Sequence, residues 1–162
     1  MGFKMMKQTV IGVLAIFVLG GCAAKQEVSN LSAPAHNVCI VKHDAVKEGV
    51  LSALQEEFEA NGMSPLVVDG TYEIKQNMWH PTWSPEQVRS CDALCFYVAN
   101  WHWDLATYMS FANIWMTDTA GSKKIAQATY DATRVPGPNK FINAEAKIKE
   151  LTAQMLVGNT TR

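Results

Sequence analysis

The sequence predicts an α+β domain: a mainly antiparallel sheet of about five strands, with two helices packed on one face, in the order βαβ-βββα. Two observations carry the helices: Val46, Val50, Leu54 and Phe58 repeat at four-residue spacing, and Ile148, Leu151, Met155 and Leu156 supply a second stripe. A third carries the sheet. Three long runs rich in aromatic and β-branched residues, about 93–103, 106–117 and 123–133, follow one another with only short gaps between them.

In chain order, 38–42 is short, apolar and β-branched and reads as the first strand. His43 or Asp44 is suited to cap the helix that follows, and Asn61-Gly62 supplies a left-handed stop. Residues 66–68 read as a second strand. Residues 70–90 hold prolines at 81 and 85 and tryptophans at 79 and 83, and read as a long surface excursion with a turn of helix at 85–89. Asp118-Thr119-Ala120-Gly121 suits a hairpin turn between the last two strands. The closing helix spans about 143–156, with Asn143 as N-cap and Glu145 in the first turn.

Strand parity suggests how the sheet is covered. Even positions Ala106, Tyr108, Ser110, Ala112, Ile114, Ala126, Ala128, Tyr130 and Ala132 are mostly small and let helices approach closely. Odd positions Tyr97, Trp101, Trp103, Leu105, Met109, Phe111 and Trp115 then form an aromatic face that needs another cover, and an exposed apolar patch of that size marks an interaction site. The plainer alternative is a bulge at 100–104 that flips the parity and returns these residues to the core.

The N-terminus tells where such a domain belongs. Lys4 and Lys7 precede an uncharged apolar stretch, 9–19, which ends at Leu19-Gly20-Gly21-Cys22. This is the layout of a bacterial export signal, and cysteine directly after the cut resembles a lipobox. The stretch is too short to span a bilayer, and Met6 fails the myristoylation pattern. The expected organisation is a signal at 1–21, an acylated Cys22 opening a flexible tether at 22–36, one domain at 37–157 and a tail at 158–162. Ala23 in place of aspartate after the cysteine favours the periplasmic side of the outer membrane. Acyl chains contribute about 0.8 kcal/mol per buried methylene, so several together anchor durably.

Of 14 basic residues, Lys4 and Lys7 leave with the signal, so 12 face 15 acidic ones and the mature charge is −3. That balance argues against nucleic acid, which requires a basic stripe. Beyond Cys22 the mature chain holds Cys39, Cys91 and Cys95 in an oxidising compartment. Cys91 and Cys95 along one extended strand would stand about 13 Å apart, beyond the roughly 7 Å a disulfide spans. Cys39 with Cys91 is the preferred bridge and Cys39 with Cys95 its competitor. Either closes a loop of about 50 residues, contributing about 4 kcal/mol.

The search for chemistry finds no nucleophile elbow, no phosphate-cradling glycine loop and no zinc helix, so neither catalytic residues, a metal nor a cofactor is expected. His102 and Asp104 share one strand face and, with His80, form the rival reading of an envelope hydrolase or metal-assisted enzyme. A pair alone does not make a metal site. His102 and Cys95 are of opposite parity and face apart.

The segment from Ala99-Asn100-Trp101-His102-Trp103-Asp104-Leu105-Ala106 to Thr107-Tyr108 resembles the Ala-Asn-Trp-x-Trp-Asp-Leu-Ala-x-Tyr signature of a family of small Gram-negative lipoproteins. Lys140-Phe141-Ile142-Asn143-Ala144-Glu145 and the residues to Leu151 resemble that family's C-terminal helix, and Val46-Lys47-Glu48-Gly49 its first helix. The resemblance covers roughly 37–62 and 91–157. It implies a periplasmic α+β domain on a lipid tether with no established activity, and it supports Cys39–Cys91 as the bridge, since Cys95 has no clear place in the pattern.

The leading expectation is a non-catalytic binding or accessory module, held to the membrane by acyl chains and engaging an envelope protein or glycan through Trp101, Trp103 and Trp115. A homo-oligomer that closes its own aromatic face is a third reading.

Overall fold

A computed structural model describes residues 23–157; the expected signal at 1–21, Cys22 and the expected tail at 158–162 lie outside them. The strands are β1 (Lys25–Ser29), β2 (Asn37–Val41), β3 (Ser64–Val68), β4 (Gly70–Lys75), β5 (Met78–Trp83), β6 (Ala93–Asp104), β7 (Ala106–Thr117) and β8 (Lys124–Asp131). The helices are α1 (Glu48–Ala60), between β2 and β3, and α2 (Ala144–Leu156) at the end. Six strands form one sheet in the order β1-β8-β7-β6-β2-β3, and β4 and β5 pair separately.

This overturns the expected five-stranded, mainly antiparallel sheet in the order βαβ-βββα. The main sheet is mixed: β2 runs parallel to both β3 and β6, and the other pairs are antiparallel. The first cause is β1. Its sequence, Lys-Gln-Glu-Val-Ser, has a single apolar residue, yet it pairs with β8 from Lys25↔Asp131 to Ser29↔Gln127. Val28 packs on the core, and the Gln26 amide donates to Gln154 on α2 at 2.7 Å. Leu31 N–H continues the attachment to Met155 O at 2.9 Å. Most of the expected tether is therefore part of the fold. The second cause is the β4–β5 hairpin, read from sequence as an irregular excursion. Its two-residue turn uses Gln76 (φ 50°) and Asn77 (φ 64°), the primed geometry that favours glycine or asparagine.

Both helices lie over one face. Val46, Val50, Leu54 and Phe58 of the first stripe and Ile148, Leu151, Met155 and Leu156 of the second are all buried there, with Tyr97, Ala112, Ile114 and Ala128 of the sheet. Asn143 caps α2, its Oδ1 accepting from Ala146 N–H at 2.8 Å. Asn61 caps the far end of α1 and Gly62 (φ 74°) turns the chain. The opposite face is smaller: Cys39, Val41, Val68, Leu94 and Phe96, covered by Tyr72 and Trp83 from the hairpin.

Cys39 is bonded to Cys91, with a Cα separation of 5.7 Å. Strand alternation decides against the competitor. Cys39 belongs to the hairpin-covered core and Cys95 to the helix-covered one, so the two sulfurs lie on opposite faces of the sheet.

Candidate functional site

The β6–β7 hairpin outruns its neighbours. Across four strands one row reads Lys25, Asp131, Phe111, Asn100. Beyond Asn100 the hairpin continues alone to its apex, where Asp104 pairs with Ala106 around Leu105. The register shifts between Asn100 and Trp101, leaving Ser110 as the extra residue, whose hydroxyl donates to Asn100 O at 3.2 Å.

That bulge, together with the pairing of odd positions on β6 with even ones on β7, dissolves the expected single aromatic face. Odd residues of β6 (Cys95, Tyr97, Ala99) face the helices, and so do even residues of β7 (Ala112, Ile114, Met116). Trp101 is half-buried against the helix-side core. Trp115 lies on the other face, stacked on Phe96 with centroids 5.5 Å apart. Trp103 stands 76% exposed near the apex. Trp101 and Trp103 share a strand side by alternation; Trp115 is not with them.

Trp101 belongs to a cleft of about 400 Å3, lined also by Lys47, Gly49, Val50, Asn143, Ala144 and Glu145. The starts of both helices border it. The Lys47 ammonium stands 4.8 Å from the centroid of the Trp101 ring, a cation–π contact worth about 0.5–1 kcal/mol at an exposed site. No side chain caps α1. Glu145 Oε1 lies 2.3 Å from where a Cβ on Gly49 would stand, so glycine permits this carboxylate to reach the first turn of α1, where the helix dipole favours negative charge.

The hairpin is braced from the segment before α2. Lys140, almost fully buried, forms an ion pair with Asp104. Its ammonium stands 5.0 Å from the Tyr108 ring, and Phe141 meets Tyr108 edge-on at 5.5 Å. The pairing with Asp104 raises the Lys140 pKa. His102 is exposed and edges on Tyr108 at 6.2 Å; His80 is exposed on β5 in the other sheet. Asp104 is thus committed to Lys140, and no group of three or more His, Cys, Asp or Glu placed to hold a metal occurs among the described residues. Cys95 is fully buried and burial pushes its thiol pKa up, a setting that suppresses the thiolate.

A further cluster escaped sequence reading. His43, expected as a cap, is buried and stacks flat on Tyr72, centroids 3.9 Å apart. Trp79 edges onto it at 5.3 Å, and the Nδ1 of His43 lies 3.2 Å from Tyr97 O. Tyr72 donates to Val41 O at 2.7 Å. Burial lowers the His43 pKa and pushes Tyr97 up to about 12. The usable signal was alternation: Tyr72 on β4 and Trp79, Pro81 and Trp83 on β5 are the residues turned inward.

No protein-family model matches this sequence, and no curated protein does either. Among solved structures the chain is similar to the PelC dodecamer from Paraburkholderia phytofirmans: TM-score 0.53 at 9% identity, over 86% of this chain and 99% of that one. A single-substitution form of the same PelC gives 0.51 at 9% identity, over 86% and 98%. TolB from Acinetobacter baumannii gives 0.45 at 10% identity, over 83% of this chain and 31% of that one. The likeness to PelC is one of fold.

Proposed function

We propose that this chain is a lipid-anchored outer-membrane lipoprotein facing the periplasm, acting as a non-catalytic binding or accessory module. The observation that carries the reading is the Cys39–Cys91 disulfide in the sheet core, which suits an oxidising compartment, joined to the lipobox-like run that ends at Cys22. The chain shares its fold with PelC, a dodecamer, which makes self-association a direct test by light scattering. The Trp101 cleft is the contact region of this module. One indole, one ammonium, one amide and one carboxylate suit a polar ligand bearing hydroxyl or amide groups.

Two measurements test the reading. Mass spectrometry of the membrane-extracted chain is expected to show residues 1–21 removed and acyl chains on Cys22; Cys22→Ser is expected to lose both changes. Cross-linked envelopes are expected to yield partners to the native chain that Trp101→Ala fails to retain. An unacylated product in the cytosol removes the anchored reading, and unchanged partners remove the cleft.

A further inference from the structure

We propose that the apex of the β6–β7 hairpin is a second membrane contact, with Trp103 and Leu105 seated in the interface of the bilayer that holds the Cys22 acyl chains. The inference rests on the anchored reading of Cys22 and adds to it an orientation of the domain.

Position is the first argument. The row Lys25–Asp131–Phe111–Asn100 crosses four adjacent strands. Cys22 precedes Lys25 by three residues, a reach of at most about 10 Å. Trp103 lies three residues past Asn100 in extended strand, about 10 Å beyond the row at the same end. Three strand spacings separate the two laterally, about 15 Å. Since β1 is hydrogen-bonded into the sheet, the anchor lacks a long leash that would let the domain float away from the surface. Acyl chains entering a bilayer at Cys22 bring the hairpin apex to the same surface.

The second argument is the apex itself. Leu105 takes φ 61°, a left-handed conformation in which leucine is strained and glycine is not. Its side chain is 87% exposed. Trp103 beside it is 76% exposed and Phe141 is 39% exposed. The apex is also braced by the Lys140–Asp104 ion pair and the Tyr108–Phe141 contact. A strained backbone that presents an apolar side chain to the outside marks a site where exposure is used. Tryptophan with a neighbouring leucine suits the bilayer interface, where an amphipathic ring finds both apolar chains and water.

The test uses the full-length acylated chain in phosphatidylcholine vesicles with and without bromine on the acyl chains. Brominated vesicles are expected to remove up to one-fifth of the emission, the share of one tryptophan among five. Trp103→Phe is expected to abolish that loss. Trp83→Phe, which alters a ring packed on Gly121 at the opposite end of β7, is expected to keep it. A loss that survives Trp103→Phe overturns the proposal. So does the absence of any loss while Cys22 carries its acyl mass, and if Trp103 is then shielded from acrylamide, a second copy covers the apex. A Cys22 without acyl mass removes the anchored reading and this inference together.

Discussion

Replacing Cys91 by alanine isolates the disulfide's part in this fold. Cys39 and Cys91 are 52 residues apart, so the cross-link withholds about 14 cal/mol/K of chain entropy from the unfolded state, about 4 kcal/mol at 25 °C. Packing loss adds little, because the freed Cys39 stays in the hairpin-side core as a small apolar residue. Cys95 cannot rescue the bridge, since its side chain lies beneath the helices on the other face. With a urea slope of about 2 kcal/mol/M, the unfolding midpoint of Cys91→Ala falls by about 2 M. Thiol titration in denaturant is expected to find one free thiol among Cys39, Cys91 and Cys95 in the native chain and two in the variant. A midpoint shift below about 0.5 M would refute the entropy argument; three free thiols in the native chain would refute the bridge itself.

Four other outcomes follow from the same geometry. Leu105→Gly relieves the left-handed strain at φ 61° and raises stability by about 1 kcal/mol, read as a higher urea midpoint. Asn143→Ala removes the acceptor that holds Ala146 N–H and lowers stability by about 1 kcal/mol, with loss of helical circular dichroism on mild heating. Gly70→Ala would place a Cβ 2.2 Å from Val41 Cγ1 and 2.8 Å from Thr82 O; the backbone must shift, costing about 1–3 kcal/mol, and Trp79 and Trp83 emission moves to the red. For His43, burial lowers the native pKa, partly offset by the Tyr97 carbonyl and by Asp44. The unfolded chain then takes up the proton first, so the stability from a neutral ring is intact above about pH 6.5 and is lost as pH falls through the lower native value. His43→Gln flattens that dependence between pH 8 and pH 5 in urea titrations.

Where the sequence was legible, a local rule and a tertiary demand agreed. The α1 stripe from Val46 to Phe58, the Asn143 cap and the three long strands all stand in the fold, because each is encoded within a few residues of itself. β1 was illegible for the opposite reason. Its one apolar residue finds value only once β8 supplies a ladder and α2 a surface. The β4–β5 hairpin turns at Gln76-Asn77 without glycine, so its turn carries a weaker signal than Asp118–Gly121, where Asp118 Oδ1 accepts from Ser122 N–H at 2.9 Å. The site was half legible. Trp101 and Trp103 do share a side, but Trp115 was grouped with them by counting residues across a hairpin whose two strands have opposite parity and a bulge at Ser110.

The amino-acid order by itself determined which segments are helix and which are long strands, which residues each helix buries, and the export-like N-terminus, since these depend on short periods and local composition. Only the tertiary structure decided that β2 runs parallel to its neighbours, that Cys39 faces Cys91 across one core while Cys95 sits in the other, and that Lys25 and Asn100 share a row. Each of these is a relation between strands far apart in the chain, where register and facing are set by cross-strand hydrogen bonds and by which core each side chain can enter.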